Sequence, residues 1–143
     1  MEKPEGSIDL YEFSQVYGSM KEDAARIIFE QVVRICCELE NINIFHRDIK
    51  DENVLINIDT LQAKLIDFGC SVSSDTEKVF NSFSGTPEFA APEVKLGVEY
   101  TSGPATVWTL GMLLYILLIG DVPFVNDQDA MRGLRRKVTF ILG

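Results

Sequence analysis

Asp48, Lys50 and Asn53 fall within one short polar stretch, and Asp67 follows in a second. A carboxylate, an ammonium, a side-chain amide and a further carboxylate are the groups needed to move a phosphoryl group onto a hydroxyl. In that chemistry Asp48 orients the attacking hydroxyl and takes its proton. Lys50 places a cation against the phosphate. Asn53 offers a carbonyl oxygen and Asp67 a carboxylate, the hard donors that Mg²⁺ prefers while it keeps waters and phosphate oxygens. His46 is the only histidine. Its place beside these groups invites a general-base role, but a packed histidine oriented by hydrogen bonds fits a supporting role better.

The residues sit in an ordered series of motifs. His46-Arg47-Asp48-Ile49-Lys50-Asp51-Glu52-Asn53 matches H-R-D-x-x-x-x-N, and Asp67-Phe68-Gly69 follows it. Gly85-Thr86-Pro87-Glu88 then precedes Ala91-Pro92-Glu93. A lone three-residue motif recurs by chance, whereas four in the required order do not. The planar fork of Arg47 suits a phosphate or carboxylate, and the polar segment between Asp67 and Glu93 is rich in hydroxyls. Ser73, Ser74, Thr76, Ser82 and Ser84 are the hydroxyls there that could carry such a phosphate, and none stands out. Cys70 reads as a small packing residue.

The series resembles a eukaryotic protein serine/threonine kinase from the hinge onward, and within the calmodulin-kinase-like group it is similar to the PIM kinases. Glu2-Lys3-Pro4-Glu5, Asp9-Leu10, the 46–53 stretch, Leu65-Ile66-Asp67-Phe68-Gly69 and Val107-Trp108-Thr109-Leu110-Gly111 carry the closer likeness. Thr106 stands where most kinases have an aspartate before Val-Trp, a departure the PIM kinases share. Gly85 to Glu93 looks more like the general calmodulin-kinase-like pattern, which also covers PAS-domain kinases.

The resemblance implies an α+β, kinase-like fold: a mainly helical C-terminal lobe with short β hairpins and no N-terminal lobe. It implies one partial domain over 1–143, with the hinge at 1–6, the catalytic loop at 46–53 and the activation segment at 67–93. ATP and Mg²⁺ are the implied cofactors. Pro4 has no N–H to offer adenine, so the Glu2 carbonyl is left as hinge acceptor, with Asp9 near the nucleotide. Asp9, Glu12, Glu52 and Thr86 are expected to face the peptide. His46, Arg47, Phe68, Gly69 and Glu93 are expected to support the machinery. The implied partners are proteins with basic residues near a Ser or Thr, with neither nucleic acid nor membrane, for a monomer in the cytoplasm and nucleus.

Neither G-x-G-x-x-G-x-V nor V-A-I-K occurs in the 143 residues. Two readings therefore stand: a serine/threonine kinase given as a truncated domain, or an inactive lobe that binds other proteins. A phosphatase or metallohydrolase is disfavoured, because no His/Asp metal cluster or nucleophilic cysteine motif accompanies the acidic residues.

Composition agrees with one globular domain. A net charge of −9, from 22 acidic and 13 basic residues, argues against nucleic acid and favours basic partners. Cys36, Cys37 and Cys70 show neither a disulfide framework nor a metal spacing, which fits a reducing compartment.

The elements that must position these groups are also legible. Leu10, Phe13, Val16 and Tyr17 recur at helical spacing from Ile8 onward. Ser19 and Glu22 suggest a capping box, opening a helix whose face is Ala24, Ile28, Val32, Ile35 and Leu39 and which fades near Asn41. Ile42 to Phe45, Val54 to Ile58 and Lys64 to Ile66 read as short strands. The polar stretch after Phe68 is too long for an ordinary connection and is expected to be functional. Pro104 is expected to open an apolar helix ending at Gly120. Its run from Val107 to Ile119 falls short of the roughly 20 residues of a membrane span and reads as buried core. The basic and apolar end, Arg135 to Leu142, reads as an aggregation-prone tail.

Overall fold

The computed structural model describes residues 4–75 and 78–133. Glu2, Thr76 and the stretch Arg135 to Leu142 lie outside them.

The chain enters through a tight turn in which Ser7 N–H donates to the Pro4 carbonyl, with Gly6 in the left-handed region. Ser7–Asp9 then forms strand β1, so the helical spacing seen from Ile8 takes hold only at Leu10. Helix α1, Leu10–Tyr17, begins there because Asp9 caps it: its carboxylate accepts from Glu12 N–H at 2.8 Å.

Helix α2, Glu22–Asn41, buries Ala25, Ile28 and Val32. The expected Ser19 capping box does not form. Lys21 occupies the cap position without a side-chain bond. Met20 N–H is instead tied to the Leu117 carbonyl at 2.8 Å, which draws the preceding link into the core and away from a capping geometry.

The polar stretches between are stitched by very short strands. β2 is Ile44–Phe45, β3 Val54–Asn57 and β4 Ala63–Leu65. Each is shorter or shifted relative to its apolar run. Ile42 ends α2 by donating back to its last carbonyls, and Asn43 takes a positive φ, so neither can join β2. One sheet has the order β1-β3-β4, antiparallel throughout, with Ile8 opposite Ile56 and Val54 opposite Leu65. β5, Val72–Ser73, pairs with β2, and β6, Val79–Phe80, pairs with β7, Tyr100–Thr101.

Helix α3, Pro92–Lys95, precedes α4, Ser102–Ile119, and α5, Asp127–Arg132, closes the described chain. α4 starts ahead of Pro104. The first-turn N–H groups of a helix have no partner within it, so proline is tolerated there. Gly120 ends α4 at φ +82, and a Cβ on it would come within 2.9 Å of Ser19 N. Glycine is therefore required where the helix end meets the α1–α2 link.

The main core joins Leu10, Ile28, Val32, Val54, Ile56 and Leu113, drawn from α1, α2, β3 and α4. Each such side chain contributes about 1.5 to 3 kcal/mol by leaving water. α4 is long and apolar enough to cross a membrane by length and composition alone. Its other face gives Met112 and Ile116 to a separate cluster with Phe89, so it acts as the beam linking both cores. It is not wholly buried, since Val107 and Leu118 remain exposed.

Candidate active site

The 46–53 stretch leaves β2 and enters β3, and pairing places both ends. β2 on β5 sets its start beside the segment after Gly69. At its other end Asn53 is joined to the end of β4, where Ile66 N–H donates to the Asn53 carbonyl at 2.9 Å. Asp67 thus follows directly beside Asn53. Asp51–Asn53 is a 3-10 turn that orients Asn53 inward.

His46, only 2 % exposed, is the internal brace. Nδ1 accepts from Asp48 N–H at 3.2 Å, so Nε2 carries the proton and donates to the Ile66 carbonyl at 3.1 Å. One ring ties the backbone of both acidic residues. Burial pushes its pKa down, outweighing the Ile66 carbonyl and the Asp48 and Asp67 carboxylates, which act upward. With both ring nitrogens bonded to main-chain groups, the ring is placed as a brace between the 46–53 stretch and the residue after β4. Phe68 meets it edge-on, with ring centroids 4.8 Å apart.

Asp48 is buried and its carboxylate is fully engaged. Oδ1 accepts from the Thr86 hydroxyl at 2.6 Å, and Oδ2 from Asn53 Nδ2 at 3.0 Å. Lys50 Nζ donates to the Thr86 hydroxyl at 2.7 Å and stands 3.8 Å from Asp48 Oδ2. Asp48, Lys50 and Thr86 thus form a closed triangle around one hydroxyl. A hydroxyl is thereby held between a carboxylate and a cation. Thr86 was expected to face the peptide, and nothing in its spacing signalled a direct bond to Asp48.

Asn53 Nδ2 donates to the Asp48 carbonyl and carboxylate, both acceptors, which fixes the amide orientation. Its side-chain carbonyl oxygen takes no part in these two bonds. Asp67 is exposed, with one oxygen accepting from Gly69 N–H at 3.2 Å. No group of three or more His, Cys, Asp or Glu suited to a metal occurs among the described residues. A two-donor, oxygen-only pair fits an ion that takes its remaining ligands from water and phosphate, as Mg²⁺ does.

Arg47 and Asp67 both have positive φ, at 67° and 60°. Such backbone is uncommon outside glycine and gathers at functional positions. Among the described residues the Arg47 guanidinium does not meet an acidic group. Its Nε donates to the Cys70 carbonyl, and it lies near the Tyr100 hydroxyl, which itself donates to the Ser82 carbonyl at 2.7 Å. The segment is thus held through its main chain. A Cβ on Gly85, at φ +141, would lie 2.4 Å from the Arg47 carbonyl, so only glycine lets the segment return this close. Thr106 lines a cavity of about 30 Å³ under Asp48 and Thr86, room for one water.

The other expected residues are more peripheral. Glu52 is exposed, 3.9 Å from Lys50 Nζ. Asp9 caps α1, and Glu12 is exposed in its first turn. Pro4 is exposed, and Glu93 is half-buried in α3. Asp51 was not singled out in the sequence. It is buried, its pKa raised first by desolvation and further by Glu52 and Asp9, with backbone hydrogen bonds opposing.

Comparison with known proteins agrees with this geometry. The model of the protein kinase domain matches residues 1–141. The serine/threonine-protein kinase pim-2 of Danio rerio is 39% identical over 132 residues, which are 92% of this chain and 42% of that protein. The serine/threonine-protein kinase PSK2 of Saccharomyces cerevisiae is 40% identical over 128 residues, 90% of this chain and 11% of that protein. The PAS domain-containing serine/threonine-protein kinase of Mus musculus is 38% identical over 134 residues, 94% and 10% respectively. The chain spans less than half the length of these relatives. With the domain matched along almost its whole length and the reactive residues gathered as the motifs require, the chain belongs to the protein kinase domain family.

Proposed function

We propose that the protein carrying this chain transfers the γ-phosphoryl group of ATP to serine or threonine hydroxyls of proteins, and that this chain supplies the large-lobe half of the domain. The observation that carries the reading is the Asp48–Thr86–Lys50 triangle, where a hydroxyl is already seated between the groups that would hold an acceptor. An incoming serine or threonine would bond to Asp48, which takes its proton as the oxygen attacks, while Lys50 stays beside the transferred group. Asn53 and Asp67 would hold Mg²⁺, which neutralises charge on the phosphates when bound. The Glu2 carbonyl and the Pro4 turn are assigned to the adenine side of the hinge.

Net negative charge and the exposed Glu52, with Asp9 and Glu12 beyond it, favour basic residues near the acceptor. The likeness to PIM kinases supports the same preference, and a monomer in the cytoplasm and nucleus completes the proposal.

The test uses the full-length protein and a serine peptide with arginines ahead of the acceptor. Asp48→Asn should lower phosphate transfer about 10² to 10⁴-fold while Mg-ATP affinity stays nearly unchanged. Asp67→Ala should weaken nucleotide binding in a Mg²⁺-dependent way. Unchanged turnover in the Asp48 variant would refute the assignment.

A further inference from the structure

Lys95 has no part in the motifs, yet its side chain is only 8% exposed. A buried ammonium requires partners. Among the described residues it has two, in different elements: Nζ donates to the Pro87 carbonyl at 2.7 Å and to the Asp127 carboxylate in the first turn of α5. The Pro87 carbonyl also accepts from Ala90 N–H at 3.1 Å, closing the 3-10 turn Pro87–Phe89. The residue before that turn is Thr86, held extended as a residue preceding proline must be. Thr86 in turn bonds to Asp48 and Lys50. A continuous chain of contacts therefore runs from α5 through Lys95, Pro87 and Thr86 to the reacting groups.

We propose that Lys95 is a positioning residue that staples the Gly85–Phe89 platform to the start of α5, presetting the surface on which the peptide beyond the acceptor docks. Geometry favours this over general support. The ammonium reaches across from α3 to the carbonyl of Pro87, the first residue of the platform turn, and its other partner, Asp127, is 67% exposed on the outer rim. Without the cation the turn keeps only its two short-range main-chain bonds, Phe89 N–H to the Thr86 carbonyl at 3.0 Å and Ala90 N–H to the Pro87 carbonyl, and α5 loses its side-chain link to the platform. Phe89, at the end of the turn, packs in the cluster with Met112 and Ile116, against which Trp108 also rests, so loosening would reach the only tryptophan. The peptide-docking part rests on the phosphoryl-transfer reading; the staple itself does not.

The test compares wild type, Lys95→Met and Lys95→Arg. Methionine retains the apolar stem, and arginine retains the cation. Amide hydrogen exchange on the 143-residue chain should show Phe89 and Ala90 exchanging about tenfold faster in Lys95→Met and within twofold of wild type in Lys95→Arg. Buried amides of α2, such as Ile28 and Val32, should be unchanged. In the full-length protein, KM for the arginine-containing serine peptide should rise at least threefold in Lys95→Met, with kcat less affected and arginine restoring it. Equal acceleration at all amides, or none at Phe89 and Ala90, overturns the staple. Local acceleration with unchanged KM overturns the docking role. If exchange behaves as expected but no variant, wild type included, transfers phosphate, the phosphoryl-transfer reading fails while the staple stands.

Discussion

Replacing His46 by phenylalanine keeps an aromatic ring against Phe68 and removes both ring nitrogens. Asp48 N–H loses its acceptor and the Ile66 carbonyl loses its donor. A buried backbone group left unpaired costs about 1 to 3 kcal/mol. Ile66 is half-buried, so a total of about 2 to 4 kcal/mol at pH 7.5 is expected.

That difference should shrink on acidification, and the sign follows from linkage. The folded pKa of His46 is depressed below its usual 6.5, so between the two values the unfolded chain binds more protons. Its stabilisation is complete above about pH 6.5 and is lost as pH falls through the depressed value, by at most about 1.4 kcal/mol per pH unit. Asp51 acts in the opposite direction. Its raised pKa gives a contribution present at acid pH and lost as pH rises through the folded value, but both proteins share it and the difference cancels it. Urea unfolding followed by Trp108 fluorescence at pH 7.5, 6.5 and 5.5 measures the two curves, and His46 is the only histidine to attribute the change to. A wild-type advantage that stays constant, or grows toward pH 5.5, would refute the neutral, two-handed ring.

Gly85→Ala should lose at least about 2 kcal/mol by urea unfolding, since positive φ and a 2.4 Å approach to the Arg47 carbonyl act together; a loss under 0.5 kcal/mol would show that the segment can return by another path. Iodoacetamide at pH 8 should label Cys37, which is exposed, well before Cys36, whose thiol is pushed up to about 12 mainly by burial and secondarily by Cys37. Peptide mass mapping checks the order, and equal rates would contradict the packing of α2 against the core.

The gathering of these polar residues was legible because each is fixed by a local motif: Asp48, Lys50 and Asn53 by one short loop, Asp67 by the next. α2 and α4 were legible from their apolar periodicity. The rest was decided over distances that periodicity does not reach. β1 displaced the first helical turn because Ile8 found Ile56 across a sheet. The Ser19 cap failed because Met20 was claimed by Leu117 at the far end of the chain. Thr86 on Asp48 and Lys95 on Pro87 join elements whose relative placement no local pattern states. Asp51 stood in the sequence only as an unassigned position of the 46–53 motif, and the packing of α1 and β1 against its turn is what buries it.

The way the site is held explains why its motif residues are so particular in type. Regular ladders end at β2 and at β4, and two residues beyond each the main chain takes a left-handed residue, Arg47 after β2 and Asp67 after β4. Such backbone persists only where surrounding bonds over-determine it. Here those bonds run from side chain to main chain: His46 to Asp48 N–H and the Ile66 carbonyl, Asn53 to the Asp48 carbonyl, Arg47 to the Cys70 carbonyl. Each requires a donor or acceptor at a fixed reach, which an apolar residue of equal size cannot supply. Asp48 and Asp67 thereby keep their carboxylates directed by backbone that is itself pinned, which is the pre-arrangement that the proposed phosphoryl transfer would require.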